Sequence, residues 1–288
     1  MRIASSPRFA SKTLAAAAAT VLLGAAADAR AAEAYYERSF VLAAHEKCGL
    51  FEPRLIAALD AATLQARGAA LRAGRAAGDL AAMAERAQGR AAALPCDDAD
   101  LKRVRSRVQA GFAGWSRAAR MSFPGDHADW RADRYSSRET GWRLMQQGAV
   151  GGSPVRFGLA GSTPRATTPT AVVSFVGRPR PYAARIVMRD VTRLPRPWLT
   201  HADLPPESVR KAVFAAGSAP APRTLMGSED RQGEVWTFSQ AAADALAELD
   251  PRETFTIEFL FRDNSVATAR FEAGDFAAAR AFLGMGAI

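Results

Sequence analysis

The sequence predicts a fold in several parts, α-helical first and α+β second. Apolar residues recur every three or four positions up to about residue 120, whereas beyond residue 170 they alternate with a period of two. Both cysteines lie in the helical half. We therefore expect an N-terminal helical bundle tied by a disulfide, followed by an antiparallel β-sheet domain with short covering helices.

These patterns place three boundaries along the chain. Residues 1–31 are predicted to be a signal peptide, residues 32–148 a helical domain, residues 149–169 a linker and residues 170–288 an α+β domain. The linker is predicted because this segment is rich in Gly, Ser, Thr and Pro.

The first thirty residues have the three features of a secretory signal peptide. Arg2, Arg8 and Lys12 precede the uncharged segment 13–27, and Ala29-Arg30-Ala31 then offers small residues at a cleavage site. The apolar segment is shorter than the roughly 20 residues of a transmembrane helix. We expect a secreted, periplasmic protein with no transmembrane segment in the mature chain; the alternative is an alanine-rich helix of the mature protein.

The mature chain keeps an excess of basic residues. Cleavage after Ala31 would remove four basic residues and one acidic residue, which lowers the net charge from +9 to +6. Such a charge favours anionic envelope surfaces. The arginines are spread along the chain without a dense basic block, so we expect no nucleic-acid binding.

Cys48 and Cys96 are the two cysteines of the sequence. An even number of cysteines in an exported protein predicts a disulfide, here between Cys48 and Cys96. Two free thiols or a metal site are the alternatives, although neither cysteine belongs to a C-x-x-C motif.

Four helices are expected before residue 120, and the last has the clearest period, with Leu101, Val104 and Val108 on one face. Ser136 and Glu139 have the spacing of a capping box. They predict a further short helix that carries Trp142 and ends at Gly148.

The second half predicts strands and two helices. The expected strands cover residues 155–159, 170–176, 182–190, 209–215, 234–238, 254–261 and 265–271. Ser239 and Asp275 are predicted to cap the two helices.

The end of the chain resembles a known family. A helix, a strand pair and then the segment Gly-Asp-Phe-Ala-Ala-Ala-Arg-Ala-Phe-Leu (residues 274–283) resemble the C-terminal end of invasion-associated-locus-B-like periplasmic proteins. The resemblance covers roughly the last 50 residues, and the cysteines that this family usually carries in the domain are absent. It implies an exported, β-rich accessory domain and no catalytic residues.

Sequence motifs of the common enzyme classes are missing, among them G-x-S-x-G, H-E-x-x-H, the P-loop and G-x-G-x-x-G. His127 is the strongest candidate for chemistry because Asp126, Asp129 and Asp133 lie within one short segment around it. A histidine among carboxylates can act as a general base or bind a metal. Carboxylates in a solvated turn are the alternative, and we expect no metal and no cofactor.

A second candidate is an aromatic segment interleaved with arginines. Such rings and guanidinium groups can stack on sugars or bind acidic groups. The alternative is a core that joins the two halves, with arginines over its edges. The residues predicted to bind are Trp115, Trp130, Arg131, Arg134, Tyr135 and Trp142.

We therefore expect an exported, non-catalytic envelope protein that binds an anionic or protein partner, such as an envelope glycan. A periplasmic hydrolase or metal-dependent enzyme with a site around His127 is the first alternative. A structural or chaperone-like envelope helper is the second.

Overall fold

The computed structural model describes residues 14–175, 179–200 and 204–288, with side chains from residue 30 onward. The helices are α1 (Leu14–Cys48), α2 (Pro53–Arg72), α3 (Ala77–Ala93), α4 (Ala99–Arg117), α5 (Gln240–Ala247) and α6 (Phe276–Gly284). The strands are β1 (Arg120–Phe123), β2 (Trp130–Asp133), β3 (Gly141–Val150), β4 (Ser153–Gly161), β5 (Thr167–Val173), β6 (Ala183–Arg189), β7 (Arg210–Phe214), β8 (Gly217–Pro220), β9 (Glu234–Thr237), β10 (Thr254–Leu260) and β11 (Val266–Glu272).

Helices α1 to α4 form the first half of the chain, as the apolar periods predict. The predicted disulfide is confirmed: Cys48 at the end of α1 is bonded to Cys96, and their Cα atoms are 5.6 Å apart. Cys96 precedes α4, whose N-cap Asp98 accepts a hydrogen bond from the Asp100 N–H at 2.7 Å. The bridge therefore joins the end of α1 to the start of α4.

The described residues of the second half form two antiparallel sheets, which confirms the α+β class. Sheet A has the strand order β1-β2-β3-β4-β5-β9-β8, and sheet B has the order β11-β10-β6-β7. One hydrophobic cluster joins them through aromatic contacts. The ring centroid of Phe157 on β4 lies 5.4 Å from that of Phe255 on β10 and 5.7 Å from that of Phe271 on β11.

The short helix predicted between Ser136 and Gly148 is wrong. The Ser137 hydroxyl accepts a hydrogen bond from the Glu139 N–H in a turn, and β3 follows. A bulge between Trp142 and Leu144 shifts the alternation of β3 by one residue. The apolar positions 142, 144 and 145 consequently imitate the spacing of a helix.

The linker predicted at residues 149–169 is also wrong, because most of this segment belongs to β4 and β5 in sheet A. Its glycines serve packing: a Cβ on Gly158 would overlap the carbonyl oxygen of Leu144, and one on Gly161 would overlap that of Ala166. Inner strands covered on both faces also lack a clear alternation. The helical half therefore ends at Arg117 instead of residue 148, and the strands begin at Arg120.

Helix α2 connects the helices to the sheets. Gly68 gives α2 close access to the start of α6, since a Cβ there would overlap the Asp275 carboxylate. Arg72 donates two hydrogen bonds to that carboxylate, at 2.6 and 2.9 Å. Asp275 occupies the predicted N-cap position of α6, but its side chain makes no capping hydrogen bond. Burial raises the pKa of Asp275, and the hydrogen bonds and charge of Arg72 oppose that shift.

No helix among the described residues has both the length and the apolar character required to cross a membrane.

Breaking the contact between α2 and α6 should destabilise the fold. We expect Arg72→Met to lower the free energy of unfolding by about 3–5 kcal/mol, because it leaves the buried Asp275 charge without a partner. Urea denaturation measures this change. Arg86→Met is the matched control, since Arg86 is exposed on α3, and it should change the free energy by less than about 0.5 kcal/mol.

The double variant Arg72→Met with Asp275→Leu separates loss of the pair from loss of packing. It should recover most of the lost stability, because no buried charge then remains. Equal stability of Arg72→Met and Arg86→Met would contradict the role assigned to this ion pair.

Candidate functional site

Trp130 and Arg134, two of the predicted binding residues, are fully buried. The Trp130 Nε1–H donates to the carbonyl oxygen of Ala273 at 2.9 Å, and its ring lies 4.9 Å from that of Phe276. Arg134 donates from Nε to the carbonyl oxygen of Gly286 at 2.7 Å. The prediction that these two side chains belong to a binding surface is therefore wrong, because Trp130 on β2 and Arg134, which directly follows β2, both face the core.

Trp115 and Trp142 are half-buried and have structural contacts. Trp115 packs edge-on against Phe282 of α6 at 6.1 Å. The Trp142 Nε1–H donates to the carbonyl oxygen of Leu225 at 3.0 Å. These contacts hold Trp142 in place at the surface of sheet A, where part of its ring stays accessible.

Arg131 and Tyr135 are exposed, as a binding role requires. Arg131 lies on β2, opposite Ser122 of β1 and Met145 of β3. All three project from the solvent side of sheet A, because side chains of directly paired residues share a face. We call this surface the β1–β3 face; its residues are Arg120, Ser122, Arg131, Trp142, Met145 and Gln147.

Two shallow depressions adjoin on the β1–β3 face and share Arg131 and Met145. The Trp142 depression encloses about 430 Å³ and is lined by Arg120, Met121, Ser122, Arg131, Ala132, Asp133, Trp142 and Met145. The His127 depression encloses about 360 Å³ and is lined by His127, Ala128, Asp129, Arg131, Met145 and Gln147.

The Trp142 depression has an excess of positive charge. Asp133 accepts a hydrogen bond from Arg120 Nε at 2.9 Å, and Arg143 lies 4.0 Å away. A second Asp133 oxygen accepts from the Tyr135 N–H at 2.8 Å. Arg131 makes no ion pair with any described residue. Its guanidinium group is therefore free to bind an anion, while Asp133 has a structural role.

His127 is paired with a carboxylate from a distant part of the chain. Its Nδ1 lies 2.8 Å from Oε1 of Glu272, and its backbone N–H donates to both Glu272 oxygens, at 3.1 and 2.9 Å. The Ala128 N–H donates to Oε2 at 3.2 Å. Gly125 permits this turn, because a Cβ there would overlap the Glu272 carboxylate. When the ring is neutral, this contact places the proton on Nδ1 and leaves Nε2 as an acceptor.

The backbone of Glu272 is fixed as well. Its N–H donates to Oε1 of the buried Gln146 at 2.9 Å, and its carbonyl oxygen accepts from Trp130 Nε1 at 3.2 Å. Burial raises the pKa of Glu272, but the hydrogen bonds from His127, Ala128 and Asp126 together outweigh it and lower that pKa. The result is a rigid carboxylate beside an imidazole whose side chain is 83% exposed.

The aspartates predicted around His127 separate in the structure. Asp129 lines the His127 depression, Asp133 is paired with Arg120, and Asp126 is exposed outside both depressions. Among the described residues no group of three His, Cys, Asp or Glu side chains could hold a metal ion. His201 lies outside the described residues, and His45 accepts a hydrogen bond from the Phe51 N–H.

Sequence reasoning missed Glu272, Met145 and Gln147. Glu272 is 145 residues from His127, and no local pattern links the two. Met145 and Gln147 lie within the predicted short helix, although their two-residue spacing is that of a strand with one exposed face.

Comparisons with family models, with curated proteins and with solved structures find no match to this chain. The resemblance to invasion-associated-locus-B-like proteins thus stays a prediction.

The Glu272 contacts predict a pH dependence of stability. Because folding lowers the pKa of Glu272, the charged carboxylate stabilises the fold at neutral pH, and this contribution is lost as the pH falls below about 4.3. We expect Glu272→Gln to lower stability at pH 7 and to make the decline between pH 5 and pH 3 shallower. Urea denaturation across this range measures both effects.

Glu85→Gln is the matched control for Glu272→Gln, because Glu85 is exposed on α3. It should leave both the stability at pH 7 and the acid slope unchanged. Parallel acid profiles for the wild-type protein and Glu272→Gln would contradict the assignment.

Proposed function

We propose that this protein is exported to the bacterial envelope and binds an acidic glycan there through its β1–β3 face, without catalysis. The observation that carries this proposal is Arg131, an exposed cation that makes no ion pair with a described residue and lies between two depressions. Trp142 and Met145 offer an apolar surface for a sugar ring beside it. An acidic group of that sugar would then lie between Arg131 and Arg120.

The proposed location follows from the N-terminal segment and the disulfide. Basic residues, an uncharged segment and small residues at Ala29 and Ala31 are the features of an export signal. The Cys48–Cys96 bridge supports export, since disulfides persist in oxidising compartments. The mature charge of +6 would attract acidic envelope material. At 0.1 M salt this attraction is screened beyond about 10 Å.

A periplasmic hydrolase is the second candidate, and the His127–Glu272 pair favours it. A carboxylate that orients an imidazole provides two of the three members of a catalytic triad. No described nucleophilic hydroxyl or thiol makes a hydrogen bond to His127. Binding is therefore the better supported function. Turnover of an ester panel that disappears in His127→Gln would reverse this order.

The proposed export can be measured directly. Cell fractionation followed by N-terminal sequencing should find the protein in the periplasmic fraction with a first residue near Ala32. The packing of α1 is compatible with that start, because Ala32 is buried against α2 and α3. Retention of the full-length chain in the cytosol would contradict the proposal.

The proposed binding face can be tested with one pair of variants. Polygalacturonate, an acidic glycan without acyl chains, should bind the protein with an affinity that falls as salt rises, and neutral dextran should not bind. Arg131→Ala should weaken binding about tenfold or more, the expected cost of one charged hydrogen bond. Isothermal titration calorimetry measures the affinities, and thermal unfolding should show an unchanged midpoint.

Arg105→Ala is the matched control, because Arg105 is exposed on α4 and lines neither depression of the β1–β3 face. It removes the same charge and should lower the affinity by less than about twofold. Equal loss in the two variants would show that net charge alone drives binding, and binding of dextran would contradict recognition of an acidic group.

A further inference from the structure

A second candidate site lies in the helical half and shares no lining residue with the two depressions of the β1–β3 face. A groove of about 450 Å³ separates α1 from α4. Its apolar wall includes Phe40, Val41, Leu59, Val104, Val108 and Phe112. This volume is within the range of about 300–1,000 Å³ that small-ligand sites enclose.

The groove stays open because α4 packs incompletely. Val104, Val108 and Phe112 recur every four residues on one face of α4, but each remains half-buried, and Leu101 is the fully buried residue of this helix. Gly111 adds no side chain, and a Cβ there would meet no atom within 4 Å. An apolar helix stripe is thus left without a complete partner in the described part of the chain.

Three arginines line the same groove against one acidic residue, Glu37. Arg38 is half-buried, and its Nη1 donates to the carbonyl oxygen of Ala62 at 2.6 Å. Arg90 lies over the Phe40 ring, 5.1 Å from its centroid. Arg107 is exposed on α4. Among the described residues, none of these three guanidinium groups forms an ion pair with a carboxylate.

Burial of the Arg38 guanidinium has a cost that a ligand could offset. Desolvation lowers the pKa of Arg38, and the charge of Glu37 opposes that shift. A half-buried cation beside apolar side chains favours an occupant with an anionic head and an apolar body. A neutral occupant would offer Arg38 no anion beyond the neighbouring Glu37, and a cationic one would be repelled by three arginines.

We propose that the groove between α1 and α4 binds a single-chain fatty acid, with its acyl chain along Val104, Val108 and Phe112 and its carboxylate on Arg38. One chain is specified because the volume is near the lower end of the range for ligand sites. This site is separate from the proposed glycan-binding face and does not depend on it.

The direct test uses purified protein that is produced from the full chain, including its own N-terminal segment. The fluorescent fatty acid cis-parinarate should bind below its micellar concentration, and palmitate should displace it. Hexadecanol has the same chain length as palmitate and no charge. It should displace cis-parinarate at least about tenfold less effectively than palmitate does, because it offers Arg38 no anion. Hexadecyltrimethylammonium should not compete.

Two variants separate the head from the chain. Arg38→Met keeps an apolar stem and should weaken palmitate about tenfold while leaving hexadecanol unchanged. Val108→Trp fills the groove and should abolish binding of both. Gln109→Trp is the matched control, because it adds the same ring on the exposed side of α4; it should bind palmitate as the wild type does. Thermal unfolding midpoints confirm that each variant folds.

The outcomes of this test are independent of the outcome of the glycan experiment. Failure of palmitate to bind, equal affinity for palmitate and hexadecanol, or full binding by Val108→Trp would each overturn it. Association only with anionic phospholipid vesicles, or concentration-dependent dimerisation that Val108→Trp removes, would assign the groove to a membrane surface or a second copy and would also overturn it. Polygalacturonate binding should be the same in Arg38→Met and the wild-type protein.

Discussion

The packing of α2 against both the other helices and the sheets is the constraint on which the two halves of this structure depend. Helix α2 contributes to three hydrophobic clusters: Ala58 and Ala61 belong to the cluster of the sheets, Leu59 to that of α1, α3 and α4, and Ala66 and Ala70 to that of α1 and α3. Small side chains let neighbouring elements approach α2 closely. Gly68 lets the start of α6 approach in the same way, because a Cβ there would overlap the Asp275 carboxylate. Apolar packing alone would leave the orientation of α2 against α6 unspecific. The Arg72–Asp275 pair specifies it, because two parallel hydrogen bonds form in only one relative orientation of the two groups.

The aromatic core between the sheets determines the geometry of the β1–β3 face. Trp130 packs inward on Phe276, and the next residue along β2, Arg131, must then point to solvent because strand side chains alternate. Gln146 and Trp130 hold the backbone of Glu272, whose carboxylate in turn orients His127. The residues that resemble one binding segment in the sequence thus divide into two sets. Buried residues such as Trp130 have a structural role, and they position surface residues such as Arg131.

The two candidate sites differ in how their cations are held. Arg131 lies exposed on a strand of a seven-stranded sheet, where a rigid backbone presents it to solvent. Arg38 lies half-buried in a groove that α4 leaves open, and its one described hydrogen bond is to a backbone carbonyl. A large extended ligand suits the first arrangement, because it can lie across an open surface. A small amphiphile suits the second, because apolar walls enclose its chain.

The sequence by itself determined the helical period up to residue 117, the disulfide and the α+β class. The period and the class depend on local spacing, and each of the two cysteines has only the other as a partner. It also indicated the later strands and the last two helices, whose alternation or caps are clear. It could not distinguish the glycine-rich segment 149–169 from a linker, since the close contacts that require Gly158 and Gly161 form only when β4 pairs with β3 and β5. Only the tertiary structure decided that Trp130 and Arg134 are buried and that Glu272 pairs with His127. Those outcomes depend on which strands meet in the two sheets, and no local period in the sequence encodes that pairing.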